Sequence, residues 1–405
     1  MTFPTVNEQM DLIRRGVEQL ISEEELEQKL QRSLKSGTPL RIKLGADPSR
    51  PDLHIGHGVV LRKLRQFQDL GHTAILIIGD FTASIGDPTG RNKTRPSITL
   101  AEAREYGQSY LDQATMILDR NNLEVVYNSD WLNAMNFTEV IQLAAHYTVA
   151  QMLARDDFSK RYKEGTPISV HEFLYPLAQG QDSVHLQADL EMGGTDQLFN
   201  FLVARELQRA AGQESQVILT MPLLEGTDGI EKMSKSYDNY IGLSDPAKDI
   251  YGKALSIPDE LIVKYFTLAT AVDATEIQEI AVAMQAGENP RDFKRRLARE
   301  LVTLYHDAAA AQAAEAEFDR VHIQKDVPDE MPEVQYTASE TMKVLDILDN
   351  WGAFKGRGEI RRLIKQRAVR LDGKQIEDGF LELKKPAEHV IQVGKRKFLR
   401  VIISE

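Results

Sequence analysis

The chain has 405 residues, 42% hydrophobic and 27% charged, which suits two or three packed domains and excludes a largely disordered or fibrous protein. A formal net charge of -12 argues against a general nucleic-acid coat protein. The absence of cysteine excludes disulfides, thiolate zinc sites and cysteine nucleophiles, so a reducing cytoplasm is the simplest home.

No run of about 18 uncharged apolar residues offers a membrane span, and Met1-Thr2-Phe3-Pro4 does not open a secretory signal. Val6 to Leu34 sets Met10, Ile13, Val17, Leu20 and Ile21 at helical spacing among many glutamates, which predicts surface helices. Leu40 to Leu44 alternates as a strand does, and Ala74 to Ile78 is an apolar run typical of a strand buried on both faces. Between them, Gly58 to Leu70 is apolar at helical spacing, with Gly71 placed to end the helix. Thr99 and Glu102 form a capping box ahead of a helix running to about Asp119, and Glu124 to Val126 reads as another strand. Strands alternating with helices predict an α/β domain on a doubly wound parallel sheet over residues 1–245, with ligands at the carboxyl ends of the strands.

From about Pro246 to Ala314 the pattern is helical without a strand-like run, which predicts an α-helical domain over 246–325. Residues 326–339 hold Pro328, Pro332 and several acids without periodicity and read as an exposed linker. Val344 to Trp351 and Arg357 to Gln366 then read as short helices, Val369 to Leu371 as a strand before the turn Asp372-Gly373, and Val390 to Ile403 as a strand pair. These make a small α+β domain over 340–405. From Thr341 to Glu405 there are fifteen Lys/Arg and nine Asp/Glu, or +6, which leaves the first 340 residues with 34 minus 52, or -18. A basic module on an acidic body implies that the module touches a polyanion, through Lys355, Arg357, Arg361, Arg362, Lys365, Arg367 and Arg370.

His54-Ile55-Gly56-His57 falls between the first strand and the first helix of this unit, where free backbone N–H groups and the helix dipole favour an anion. The two imidazoles can donate to phosphate oxygens, and Gly56 lets a nucleotide approach the backbone. Two surface histidines, or two metal ligands, are the alternatives; no third ligand stands nearby in sequence. Lys232-Met233-Ser234-Lys235-Ser236 lies in a polar stretch from Gly226 to Asn239, and its two lysines can reach the outer phosphates of ATP. A lysine pair alone would be a solvated face.

The two motifs together, in one α/β domain, resemble those of the class I aminoacyl-tRNA synthetases. Tyr175, Gln179 and Asp182, at i, i+4 and i+7, share one face if their segment is helical. Glu191-Met192-Gly193-Gly194-Thr195-Asp196-Gln197 offers a glycine pair and an acid suited to ribose hydroxyls, and Ile85-Gly86-Asp87-Pro88-Thr89-Gly90 adds a third acid on a loop. With these, essentially the whole chain resembles the tyrosyl-tRNA synthetases, including an S4-like RNA-binding module at the C-terminus.

The resemblance implies that Asp182 accepts a hydrogen bond from the tyrosine hydroxyl and that Tyr175, Gln179 and Asp87 hold the substrate ammonium, with Gln197 and Asn128 completing the amino-acid pocket. It places Asp47 over the α-phosphate, Gly194 and Asp196 at the ribose, and Gly56 and Ser234 against ATP. His54, His57, Lys232 and Lys235 match the ATP-activating set, and Arg91 and Arg95 match basic positions on a loop that closes on pyrophosphate. Many bacterial members carry a tyrosine on the first strand, where this chain has Lys43, as in a second branch of the family. Also implied are magnesium accompanying ATP, no protein-bound metal, tRNA(Tyr) as partner, an anticodon-binding role for the helical domain, and a homodimer contacting through an insertion at about 135–185. Rival readings are another nucleotidyl transferase, a tryptophanyl enzyme, and a synthetase-like RNA-binding regulatory protein; in the last, the histidine and lysine motifs should have eroded, and both are intact.

Overall fold

The computed structural model describes residues 3–48, 52–88, 98–323, 331–337, 342–383, 387–394 and 397–404. It divides into two compact units, Met1–Ala311 and Gln312–Glu405.

The first unit opens with α1 (Val6–Arg14), β1 (Gln19–Ile21) and α2 (Glu23–Ser36). Next come β2 (Arg41–Ala46), α3 (Ile55–Asp69), β3 (Thr73–Ile78), α4 (Asp80–Ile85), α5 (Leu100–Ala114) and β4 (Leu123–Tyr127). The capping box of Thr99 and Glu102 starts α5, yet the helix stops at Ala114 and not near Asp119. The cause is α3: Arg65 donates to the Ile117 carbonyl, and the Gln68 carboxamide bonds both the N–H and the carbonyl of Asp119, drawing this stretch into a turn.

Short helices α6 (Ser129–Leu132), α7 (Phe137–Ala144), α8 (Val149–Met152) and α9 (Asp156–Lys163) precede α10 (Leu174–Leu186). Then follow β5 (Leu190–Gly194), α11 (Leu198–Ala210) and β6 (Val217–Met221). The sheet order is β1-β6-β5-β2-β3-β4, all parallel except β1, which runs antiparallel to β6. The sequence chain β2, β3, β4 grows to one side of β2, whereas β5 and β6 lie on the other. That reversal opens a crevice at the carboxyl ends of β2 and β5, where open parallel sheets bind ligands. β1 was expected as part of a surface helix; its three residues, which form the edge of the sheet against β6, are too few to show a period of two.

Helices α12 (Ala247–Ser256), α13 (Ile262–Ala269), α14 (Ala274–Gln285) and α15 (Pro290–Tyr305) carry the predicted helical stretch, and α16 (Ala308–Phe318) follows. The division expected at residue 246 falls inside the first compact unit, because α13 packs on α3 and buries Tyr265 and Phe266.

The second unit holds β7 (Glu333–Thr337), β8 (Met342–Lys343), α17 (Val344–Trp351), α18 (Arg357–Lys365), β9 (Val369–Leu371), β10 (Lys374–Gln375), β11 (Glu382–Leu383), β12 (Ala387–Val393) and β13 (Lys397–Ser404). A sheet ordered β10-β9-β12-β13-β7 packs with α17 and α18 over Leu348, Ile360, Ile391 and Val401. Part of the expected linker is the strand β7, parallel to β13, with Val334 and Tyr336 turned toward this core. Its partner lies more than sixty residues later, so no local pattern announced it. Asp372 and Gly373, at φ 48° and 76°, make the tight β9–β10 turn that the sequence predicted.

Candidate active site

A cavity of about 430 Å³ occupies the crevice and is lined by the ends of β2 and β5, the first turn of α3, α10, and the loop after β6. It gathers Asp47, His54, Gly56, His57, Asp87, Asn128, Tyr175, Gln179, Asp182, Gly194, Asp196, Gln197, Lys232, Ser234 and Lys235. Arg91 and Arg95 lie outside the described residues. The seven basic residues singled out near the C-terminus lie in the second unit.

The segment of Tyr175, Gln179 and Asp182 is helical, so the three share the cavity side of α10. Asp182 is buried and accepts from Trp131 Nε1 at 2.9 Å and Asn128 Nδ2 at 3.3 Å. Burial pushes its carboxyl up to about 7, against the pull of nearby Lys43 and the two donors. The Gln179 amide is oriented from both ends, donating to Glu191 at 3.0 Å and accepting from Asn200 at 2.8 Å. Tyr175 donates its hydroxyl to Asp47 at 2.8 Å, and Thr82 donates to the other oxygen of Asp47 at 2.7 Å. Gly79 makes this possible: a Cβ there would stand 2.1 Å from Asp47 Oδ1. Asp87 accepts from Gln197 at 2.9 Å and lies 3.7 Å from the buried Arg155 guanidinium.

His54 caps α3, and its backbone N–H donates to His57 Nδ1 at 3.2 Å, which fixes the neutral His57 with its proton on Nε2. The two rings lie 3.8 Å apart. Burial drives His54 down to about 2, helped by His57 and Lys235; His57 is exposed toward the open crevice, yet the surrounding protein and then Lys235 still lower it, to about 4. Both imidazoles are therefore neutral hydrogen-bonding groups at physiological pH. His54 Nδ1 is buried without a hydrogen-bond partner among the described residues, a demand that costs about 1–3 kcal/mol until a ligand meets it.

The loop after β6 is pinned at both ends. Met233 is buried and its N–H donates to the Leu224 carbonyl at 2.8 Å, while the Ser234 N–H donates to the Asn239 side chain at 2.8 Å. Lys232 pairs with Asp196 at 3.6 Å, and Lys235 pairs with Asp52 while its Nζ sits 5.2 Å from the centre of the Tyr240 ring. Each flanking lysine is thus held over the cavity by a carboxylate that a polyphosphate would have to replace. Among the described residues no group of three or more His, Asp or Glu is arranged to hold a metal ion.

A neutral histidine pair at a helix start, a lysine loop and a buried acid, in one crevice of a parallel sheet, agree with what the family comparison finds. The sequence model described as "tRNA synthetases class I (W and Y)" matches residues 35–322. The tyrosine--tRNA ligase of Chlorobaculum tepidum is 55% identical over 403 residues, covering 99% of this chain and 98% of that protein. The chain belongs to the class I tRNA synthetases, in their tyrosyl branch. The tyrosine--tRNA ligase of Thermotoga maritima is 52% identical over 398 residues, 98% of each chain. Among solved structures, the Archaeoglobus fulgidus tyrosyl-tRNA synthetase complexed with L-tyrosine is similar with a TM-score of 0.63 and 27% identity, over 76% of this chain and 99% of that one.

Several residues of this synthetase's cavity carried no signal in the sequence. Thr82, Trp131, Arg155 and Asn200 act on cavity side chains from separate elements, and only a contact across the fold reveals them. Asp52 stands two residues before His54 and could have been suspected from that proximity alone. Lys43, at the position where many relatives have tyrosine, does not line the cavity; it is buried beneath α10, 2.9 Å from Glu191.

Proposed function

We propose that this chain joins tyrosine to ATP as tyrosyl-adenylate and then transfers the tyrosyl group to the 3′ end of tRNA(Tyr). The observation that carries the reading is one cavity with a buried acceptor, Asp182, on α10 and an array of phosphate donors on α3 and the loop after β6. The substrate carboxylate attacks the α-phosphorus in line, the bond to the β-phosphate oxygen breaks, and pyrophosphate leaves with its electron pair. The carboxylate is already ionised, so no general base is needed; positioning and charge stabilisation supply the catalysis. Tyr175, Gln179 and Asp87 hold the ammonium, with Gln197 and Asn128 supporting them. Asp47 and the His57 Nε2 proton face the phosphates, and Gly194 with Asp196 takes the ribose. Lys232, Ser234 and Lys235 meet the departing pyrophosphate, as do Arg91 and Arg95. Magnesium enters as part of the ATP substrate. Pyrophosphate exchange into ATP, run across the amino acids, tests the reading: tyrosine should support it, and phenylalanine and tryptophan hardly at all.

The second unit is the proposed S4-like RNA-binding domain, acting in the cytoplasm on tRNA, with α12 to α15 as the proposed anticodon-binding helices. On α18, Arg361, Arg362 and Lys365 are exposed, while Ile360 and Ile364 face the core. Lys355 and Arg370 are exposed too. Arg357 is tied to Asp346 and Asp349, and Arg367 to Glu377, so these two contribute less free charge. Replacing Arg361, Arg362 and Lys365 together with alanine should leave tyrosine-dependent exchange intact and raise the KM for tRNA. The slope of log affinity against log salt should become shallower by about two, given roughly 0.7 per lost phosphate contact. An unchanged slope would remove α18 from the RNA-binding face.

Homodimerisation is proposed through the insertion. No residue of α7 is buried, and Phe137 and Val170 are 80% and 79% exposed, with Ile141 and Val149 also exposed. Large apolar side chains left exposed across one segment favour a protein interface there, and a second copy of the chain is the occupant the family implies. Phe137→Asp combined with Ile141→Asp should convert a dimer to a monomer in sedimentation velocity; a double variant that sediments as the wild type would move the interface elsewhere.

A further inference from the structure

Beneath α10 lies a charged cluster that the proposed chemistry does not use. Lys43 on β2 and Glu191 on β5 are register partners in adjacent parallel strands, and both side chains are fully buried. Lys43 Nζ donates to the Gln179 carbonyl at 3.1 Å and to Ser183 Oγ at 2.5 Å, and it lies 2.9 Å from Glu191 Oε1. Two hydrogen bonds and one ion pair thereby hold the ammonium. Glu191 also accepts from Gln179 Nε2 at 3.0 Å, from Ser183 Oγ at 3.2 Å and from Gln216 Nε2.

A buried ion pair is a poor source of stability, since desolvation consumes most of its attraction, but a fully hydrogen-bonded one fixes geometry strictly. Here the contacts from the sheet converge on residues 179–183 of α10, the stretch that carries Gln179 and Asp182 into the cavity. We propose that Lys43 is a positioning residue for amino-acid specificity: paired with Glu191, it clamps this stretch of α10 from below and supplies the cation that balances Asp182. The proposal rests on reading the cavity as a tyrosine site. Lys43 then serves the substrate hydroxyl through Asp182 without touching it.

The groups facing Asp182 are Lys43 from β2, Glu191 from β5, and the neutral donors Trp131 and Asn128 from the segment after β4; on α10 itself, His185 stacks on Trp131 at 4.4 Å. Lys43 is the largest of the influences that favour the ionised carboxylate, and Glu191 opposes it. Losing the lysine therefore moves Asp182 toward its protonated form.

Steady-state pyrophosphate exchange on the full chain tests the proposal. Lys43→Met should raise the KM for tyrosine at least tenfold, leave the KM for ATP within about twofold, and shift the acid limb of kcat/KM for tyrosine upward by about one pH unit. It should also raise the phenylalanine-to-tyrosine rate ratio, because a neutral Asp182 is less penalised by a missing hydroxyl. Lys43→Met with Glu191→Gln removes both charges, avoids a stranded carboxylate, and should show the same signs to a smaller degree. Ser183→Ala removes one hydroxyl from the same clamp and should raise the tyrosine KM severalfold, which decides the matter if the lysine variants do not fold. An unchanged tyrosine KM and an unmoved acid limb in whichever variants fold would overturn the proposal. Absence of tyrosine-dependent exchange in the wild type would instead remove the tyrosine reading itself.

Discussion

Lys232→Ala or Lys235→Ala is expected to slow tyrosyl-adenylate formation by two orders of magnitude or more while the affinity for tyrosine holds. The charge these lysines meet develops on pyrophosphate as it departs, so their contribution belongs to the transition state and falls on kcat. Removing one preorganised charged donor of this kind costs on the order of 3 kcal/mol. Each substitution also frees a carboxylate: Asp196 loses Lys232, and Asp52 loses Lys235. A freed carboxylate beside the polyphosphate path adds repulsion to the lost attraction. In the proposed reading tyrosine is held by α10 together with Asp87, Gln197 and Asn128, apart from the lysine loop, and its binding should not feel either change. Rapid-quench measurement of single-turnover adenylate formation, with equilibrium tyrosine binding alongside, checks both halves. Weaker tyrosine binding with an unchanged rate would reassign the lysines to the amino-acid pocket.

The second large effect is expected at Asp182. Asp182→Asn should lower kcat/KM for tyrosine by about a hundredfold or more, because a hydrogen bond to a charged, buried acceptor is worth about 1.5–3 kcal/mol and the amide also presents N–H groups to the phenol O–H. In the wild type, kcat/KM reports the free enzyme, where the Asp182 carboxyl stands at about 7. The sign follows directly: below pH 7 the carboxyl is protonated, loses the charge that makes it a strong acceptor and gains a competing O–H, so kcat/KM for tyrosine should fall by up to about tenfold per unit of pH. Above pH 7 it should level off. His54 and His57, held at about 2 and about 4, are neutral throughout the range from pH 5 to pH 8 and cannot produce that limb. A tyrosine kcat/KM that stays flat down to pH 5 would show that Asp182 is ionised across the range and that the lysine cation beneath it prevails over burial.

The sequence by itself determined where the chemistry-bearing segments begin and what local structure they adopt. The β2-to-α3 junction with its histidine pair, the capping box of α5, the helical spacing of Tyr175, Gln179 and Asp182, and the Asp372-Gly373 turn are encoded by residues within one or two turns of each other. Capping, periodicity and left-handed backbone preferences act over that range, so they could be read directly. Only the tertiary structure decided the rest. β1 and β7 exist because β6 and β13 offer them hydrogen-bonding edges, and α5 ends early because Arg65 and Gln68 of α3 capture the following turn. Lys43 stood in the sequence only as a departure from the tyrosine of many relatives, and it was the pleat of β2 that turned it beneath α10 beside Glu191, a residue 148 positions later in the chain. Burial, and the need of every buried polar group for a partner, are satisfied between distant segments, and no local pattern in the sequence records which segments will meet.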